Sequence, residues 1–297
     1  MKIVWCFDII AVLLFICFIV QGIKRGFSNL IVHSAVNWVF VIISFFMSGI
    51  LAETLYESFA GDTVQLSVEE SVENLNLEEE FNKAYSELTL IETVSEKEIS
   101  RIFTAEDDMD RRFWNLVNTT SGVGDQITEE ECYVKLNNII KVSLQECISE
   151  KLPSYAGKYF ENTDREQTFR ILNMMYSDKK KAANYIADNF INEKMFHFVQ
   201  LVSFVVSAMV LMIVSNIIFS LVFRNKDMTS GGTADSILGA VTEVLNAVMM
   251  ITVFALLVKT AVYSGAEING IMDDDVLNSL YIFRFMYNAD KYMLNFR

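Results

Sequence analysis

Four long apolar runs constrain this chain more than any other feature: residues 3–23, 30–51, 195–223 and 237–258. A helix of about 21 residues is about 31 Å long, close to the hydrocarbon thickness of a bilayer. Only helices and closed barrels satisfy their backbone groups in lipid, and these runs are too long for barrel strands. The first run is interrupted by Asp8, Gln21 and Gly22 alone. A cleaved signal peptide carries its charges before the apolar stretch and small residues after it. Here Lys24 and Arg25 follow the stretch and the second run begins almost at once. The expectation is a retained membrane helix.

The formal charge is -14, and the whole acidic surplus lies between Ala52 and Lys194. An acidic surface repels phosphate, which excludes nucleic acid as a partner. The segment reads as a solvated helical domain. Thr128 and Glu131 have the spacing of a capping box, and Val134, Ile139, Val142, Leu144 and Ile148 follow a helical stripe. Cys132 and Cys147 lie here, and a disulfide between them is open if the segment is extracytoplasmic. Cys6 and Cys17 read as small hydrophobes in the first helix. There is no Cys-x-x-Cys, Cys/His cluster, Ser/His/Asp set or phosphate loop in the sequence. No metal, no cofactor and no catalytic residues are therefore expected.

The first two runs are joined by "KRGFSN" and the last two by "RNKDMTSGGTADS". Connections this short make each pair a helical hairpin. Lys24, Arg25, Arg224 and Lys226 lie on them, which places both connections in the cytoplasm and the acidic segment outside. The expected architecture is an all-α, multi-pass cell-membrane protein. Residues 1–51 form transmembrane hairpin 1, 52–194 an inserted helical domain, and 195–260 hairpin 2. Residues 261–297 form an amphipathic C-terminal tail, lying at the interface or packed on the protein's own surface. The bilayer is the expected partner, with homo-oligomers and other membrane proteins open.

Polar residues inside the apolar runs are the remaining chemical signal. Asp8 lies in the first helix; His33 and Asn37 are four apart in the second, with Ser44 and Ser48 continuing near that face. Gly239, Glu243 and Asn246 share a face of the fourth. A carboxylate at the bilayer centre costs about 3 kcal/mol, and Glu243 falls about 9 Å from the start of its apolar run. Three roles are open for these groups: interhelical hydrogen bonding, a proton or ion path, or exposure to water near helix ends. In the loop before the fourth helix, Gly231 and Gly232 supply a turn and Asp235 or Ser236 a cap. Gly239 permits close helix approach.

The opening stretch "DIIAVLLFICFIVQGIKRGFSNLIVHSAVNWVF" resembles the start of the colicin V production protein (CvpA) family. There an aspartate-containing apolar helix leads to an Arg-Gly-Phe turn and a second helix. Asp8, Arg25, Gly26 and Phe27 match that pattern. Ser230, Gly231, Thr233, Asp235, Leu238 and Gly239 resemble the family's second block, and "YIFRFMYNADKYM" its aromatic tail. The resemblance covers about half the chain. It leaves the long central segment unexplained and departs at Glu243 and Asn246. It implies a non-enzymatic role in colicin V-type toxin production or export and in envelope homeostasis. Read from the residues alone, a transporter or channel subunit, or an interaction protein acting through the acidic insert, stays open.

Overall fold

The computed structural model describes residues 5–89, 94–102, 109–119, 127–157, 163–222, 231–264 and 273–293. All regular structure among them is helical. Two compact units are present, Met1–Tyr56 with Phe196–Arg297, and Glu57–Met195.

The first unit holds α1 (Cys6–Arg25), α2 (Phe27–Leu55), α11 (Asn192–Val222, from Phe196 onward) and α12 (Thr233–Tyr263). These are the four helices among the described residues that are long and apolar enough to cross a membrane. Ile9 and Leu13 on α1, Phe46 and Ile50 on α2, Ile213 and Ile217 on α11, and Val241 and Leu245 on α12 are each more than half exposed. Continuous apolar surface of this extent matches lipid and not water.

Chain neighbours are not the closest partners. Helix α1 packs along α12 more extensively than along α2, from which Gly26 alone separates it. Phe7 and Ala11 of α1 share a core with Ala255, Val258 and Val262 near the far end of α12, so α1 and α12 run antiparallel. Val41 of α2 and Leu201, Phe204 and Ala208 of α11 pack against Met249, Val253 and Leu256 of α12. Helix α12 is thus the hub of this unit.

The described C-terminal residues, 273–293, form three short helices, α13 (Asp274–Asn278), α14 (Phe283–Tyr287) and α15 (Asp290–Met293), instead of one amphipathic helix. They pack on the protein itself: Leu277, Leu280, Phe283 and Tyr287 join the core of α1 and α12. Tyr281, Phe285 and Tyr292 point outward, and Trp5 stacks on Tyr281 at 5.4 Å. Aromatic rings of this kind favour the membrane–water boundary.

The second unit contains α3 (Gly61–Asn74), α4 (Leu77–Thr89), α5 (Glu96–Ile102), α6 (Met109–Thr119), α7 (Glu129–Lys151), α8 (Ser154–Gly157), α9 (Arg165–Ser177) and α10 (Lys179–Ile186). The Thr128/Glu131 capping box is formed, with each side chain accepting the other residue's backbone N–H. Helix α7 is central, packing on α3, α4 and α9. Its buried face is Cys132, Leu136, Ile139, Ile140, Leu144 and Ile148. Val134 and Val142, expected on that stripe, are half exposed, because the packed face lies about a third of a turn away. Cys132 and Cys147 both lie on α7, about 22 Å apart along its axis, so the open disulfide does not form. Burial, with Glu129 beside it, pushes the Cys132 thiol up to about 12, which leaves it inert.

Candidate functional site

Four groups of polar contacts among the described residues organise the first unit. At the start of α1, the buried Asp8 carboxylate accepts the backbone N–H groups of Tyr281 (2.9 Å), Ile282 (3.1 Å) and Phe283 (2.8 Å). Helix α14 has no side-chain cap of its own. Asp8 supplies one from 273 or more residues away, satisfying donors that the first helical turn leaves open.

At the other end of α1, a second aspartate does the same for α2. The helix α12 begins at Thr233, and Gly232, at φ 136, occupies the cap position without a side-chain bond. Asp235 and Ser236 are therefore not its caps. Asp235 lies in the first turn, where its carboxylate accepts the N–H of Gly231 (2.9 Å) and both the N–H and hydroxyl of Ser28 (2.9 and 2.8 Å). Ser28 is the second residue of α2, so its amide is one of that helix's orphan donors. Gly26, at φ 73, makes the sharp turn that brings α2 there. Between these contacts, Gly22 and Gly239 meet backbone to backbone. Arg25 and Lys24 sit exposed beside this junction. Ser230, Arg224 and Lys226 lie outside the described residues.

A seam of hydrogen bonds joins α2, α11 and α12 inside the bundle. Ser215 donates its hydroxyl to Asn37 Oδ1 at 2.7 Å. His33 Nε2 lies 3.2 Å from Asn216 Oδ1 and 3.4 Å from Asn37 Nδ2. Asn246 Nδ2 donates to Ser34 Oγ at 2.7 Å and to Glu243 Oε2 at 3.3 Å. His33 and Asn37 thus bond to α11, and Asn246 joins Glu243 to Ser34 of α2; Asp8 belongs to neither group. Ser44 and Ser48 instead donate to the carbonyls of Phe40 and Phe45 in their own helix. Because α12 starts four residues before the apolar run, Glu243 lies about 15 Å along it rather than about 9 Å. It is 4% exposed, which places it inside the bundle and not in water.

Lys259 was not anticipated from the sequence. It is 1% exposed near the end of α12, and its Nζ lies 2.6 Å from Asp290 Oδ1. The ammonium also faces the rings of Tyr287 and Tyr263 at 5.1 and 5.4 Å. Tyr287 donates its hydroxyl to Asp274 at 2.8 Å, and burial together with Asp274 holds this phenol above its usual range. The pairing of "VKT" with the distant "NAD" left no local signal beyond a lysine bordering an apolar run.

Among the described residues no group of three or more His, Cys, Asp or Glu side chains is placed to hold a metal ion. Compared with protein-family models, with curated proteins and with solved structures, the chain matches none.

Proposed function

We propose that this chain is a multi-pass bacterial cell-membrane protein of the CvpA kind, with a non-enzymatic role in colicin V-type toxin production or export and in envelope homeostasis. Its helices form two hairpins, α1–α2 and α11–α12, with the acidic domain between them on the extracytoplasmic side. The bilayer is its first partner, and the acidic domain offers a surface to other envelope proteins. One observation carries this reading. The three sequence blocks that resemble the family, far apart in the chain, meet in pairs. The Arg-Gly-Phe turn meets the Gly231–Gly239 block through Ser28–Asp235 and Gly22–Gly239. The aspartate of the first helix meets the aromatic tail through Asp8. Residues that share a structural task support the resemblance better than isolated short motifs.

The test is complementation. A bacterium deprived of its CvpA-like protein and expressing this chain should regain toxin export and resistance to detergent. Asp235→Ala should lose both if it accumulates to wild-type levels. Wild-type protein that accumulates in the membrane yet restores neither would remove the reading. A second reading, a transporter or channel subunit, is favoured by the three-helix polar seam. It requires solute flux in proteoliposomes that stops with His33→Ala or Glu243→Gln.

A further inference from the structure

We propose that a groove along α9, in the second unit, is the docking site for an acidic peptide segment of a partner protein. It stands apart from the envelope reading, because it rests on the charges and shape of this groove alone.

Charge is unevenly spread over the acidic domain. Residues 165–186, the α9–α10 hairpin, carry five basic residues and two acidic ones, Glu166 and Asp178. The hairpin is therefore basic within the segment that holds the chain's whole acidic surplus. Some of its cations are already spent. Arg165 pairs with Asp110 at 2.9 Å and covers the Tyr133 ring, and Lys179 donates to the Glu73 carbonyl at 2.8 Å. Arg170 and Lys181 differ. Both are exposed, and among the described residues neither side chain has a carboxylate partner. The Arg170 guanidinium lies 4.8 Å from the Tyr185 ring. An aromatic backing leaves its charge unneutralised and restricts the rotamers that binding must freeze.

These two cations line one groove of 780 Å³, which runs from Asp110 and Arg165 to Ser177 and Lys181. The stretch of α9 from Arg165 to Ser177 is about 18 Å long. That length accommodates about five residues of extended chain. Phe169 and Met174, both partly buried, add apolar surface between the charged ends. Glu166, one turn before Arg170, repels acid at its own end. The occupant's carboxylates therefore lie over Arg170 and Lys181. Acid elsewhere on the domain does not cancel this attraction, since exposed charges beyond about 8 Å are screened at physiological salt. It does disfavour any other placement of an acidic chain, which gives the groove specificity as well as affinity. A nucleic acid does not fit, because two unspent cations in acidic surroundings cannot follow a continuous phosphate backbone.

The full-length protein in non-ionic detergent tests this by fluorescence anisotropy with labelled octa-glutamate at about 0.15 M salt. The expected result is saturable binding that weakens as salt rises, with no binding of labelled octa-glutamine. Arg170→Gln and Lys181→Gln should each raise the dissociation constant about threefold to fivefold, and together about tenfold or more. Unfolding midpoints should stay unchanged, since both side chains are exposed. Lys180→Gln removes the same charge one residue away but outside the groove lining, and should leave binding as it is. If Arg170→Gln does not fold, Lys181→Gln against Lys180→Gln decides. Absence of saturable binding overturns the site. Equal weakening by Lys180→Gln and Lys181→Gln also overturns it, since the attraction is then not specific to the groove. Tighter binding of labelled octa-galacturonate through Arg170 and Lys181 overturns the peptide as occupant and makes it an acidic glycan.

Discussion

Gly22 of α1 and Gly239 of α12 face each other so closely that a Cβ on either would lie 2.4 Å from the other's carbonyl oxygen. No real Cβ contact is that short, and on both sides the obstacle is backbone, which cannot rotate away. Lipid tails give helices no hydrophobic drive to associate, so close packing at small residues carries the association. The contact sits beside the Ser28–Asp235 bond, so any separation of α1 from α12 also strains that cap.

Gly239→Ala should therefore destabilise the protein by about 1–3 kcal/mol, the usual cost of overpacking. Gly239→Leu should cost more. Val241→Ala, at an outward position on the same helix, should change stability little. Unfolding midpoints in detergent check the ranking; equal tolerance of Gly239→Ala and Val241→Ala would contradict it.

Asp8→Ala should release the C-terminal tail. Three backbone N–H groups lose their shared acceptor, and hydrogen bonds to a charged group contribute about 1.5–3 kcal/mol each before compensation by water. Asp8→Asn keeps one acceptor oxygen and should be intermediate. Hydrogen exchange at Tyr281, Ile282 and Phe283 reads this directly. Protection there should fall in the order wild type, Asp8→Asn, Asp8→Ala, while α11 amides stay unchanged.

Hydropathy made the four membrane-length helices legible, because lipid demands length and apolarity together. Spacing of three and four placed Gly239, Glu243 and Asn246 on one face, and all three are buried. The partners of the aspartates were not legible. Asp235 has the composition of a local cap, but Gly232 starts the helix earlier and frees the carboxylate for Ser28. Asp8 finds donors in a tail that only tertiary folding brings near. Lys259 gave no sign of burial, since the apolar run stops at Val258 just before it; it is buried because Asp290 folds back over it. On α7, Ile139, Leu144 and Ile148 of the expected stripe are buried while Val134 and Val142 are not, because the neighbouring helices α3, α4 and α9 decide which face is covered.

Residues 57–195 expressed alone should be soluble and dominantly helical by circular dichroism, with both cysteines alkylated once unfolded under non-reducing conditions. A β-type spectrum or a recovered Cys132–Cys147 crosslink would refute the description of α7. The Glu131 carboxyl is held below its usual value because it accepts the N–H and then the hydroxyl of Thr128. Its contribution is present above the ordinary glutamate pKa and is lost as pH falls through the lowered folded value. Glu131→Gln should therefore narrow the gap to wild type in the acid limb and leave it widest near neutrality.

Breaking the Lys259–Asp290 pair from one side should cost more than removing it from both. Lys259 is 1% exposed, so its ammonium depends on Asp290 at 2.6 Å for compensation. The flanking rings of Tyr287 and Tyr263 add cation–π attraction but cannot replace a carboxylate. Asp290→Ala strands the charge, and losing one partner of a buried pair costs about 3–5 kcal/mol. Lys259→Met leaves Asp290 behind, yet that carboxylate retains some access to water, with a side chain 17% exposed. Its partner's loss should therefore cost less. The double variant Lys259→Met, Asp290→Leu replaces both charges with apolar groups of similar length, and such swaps are often neutral or stabilising. The expected order of unfolding midpoints is Asp290→Ala lowest, Lys259→Met next, and the double variant near wild type. Tail protection at Phe283 and Tyr287 should follow the same order, because the pair ties α15 to α12. If Asp290→Ala and the double variant unfold together, the ion pair is not what holds the tail, and the Asp8 cap carries that task alone.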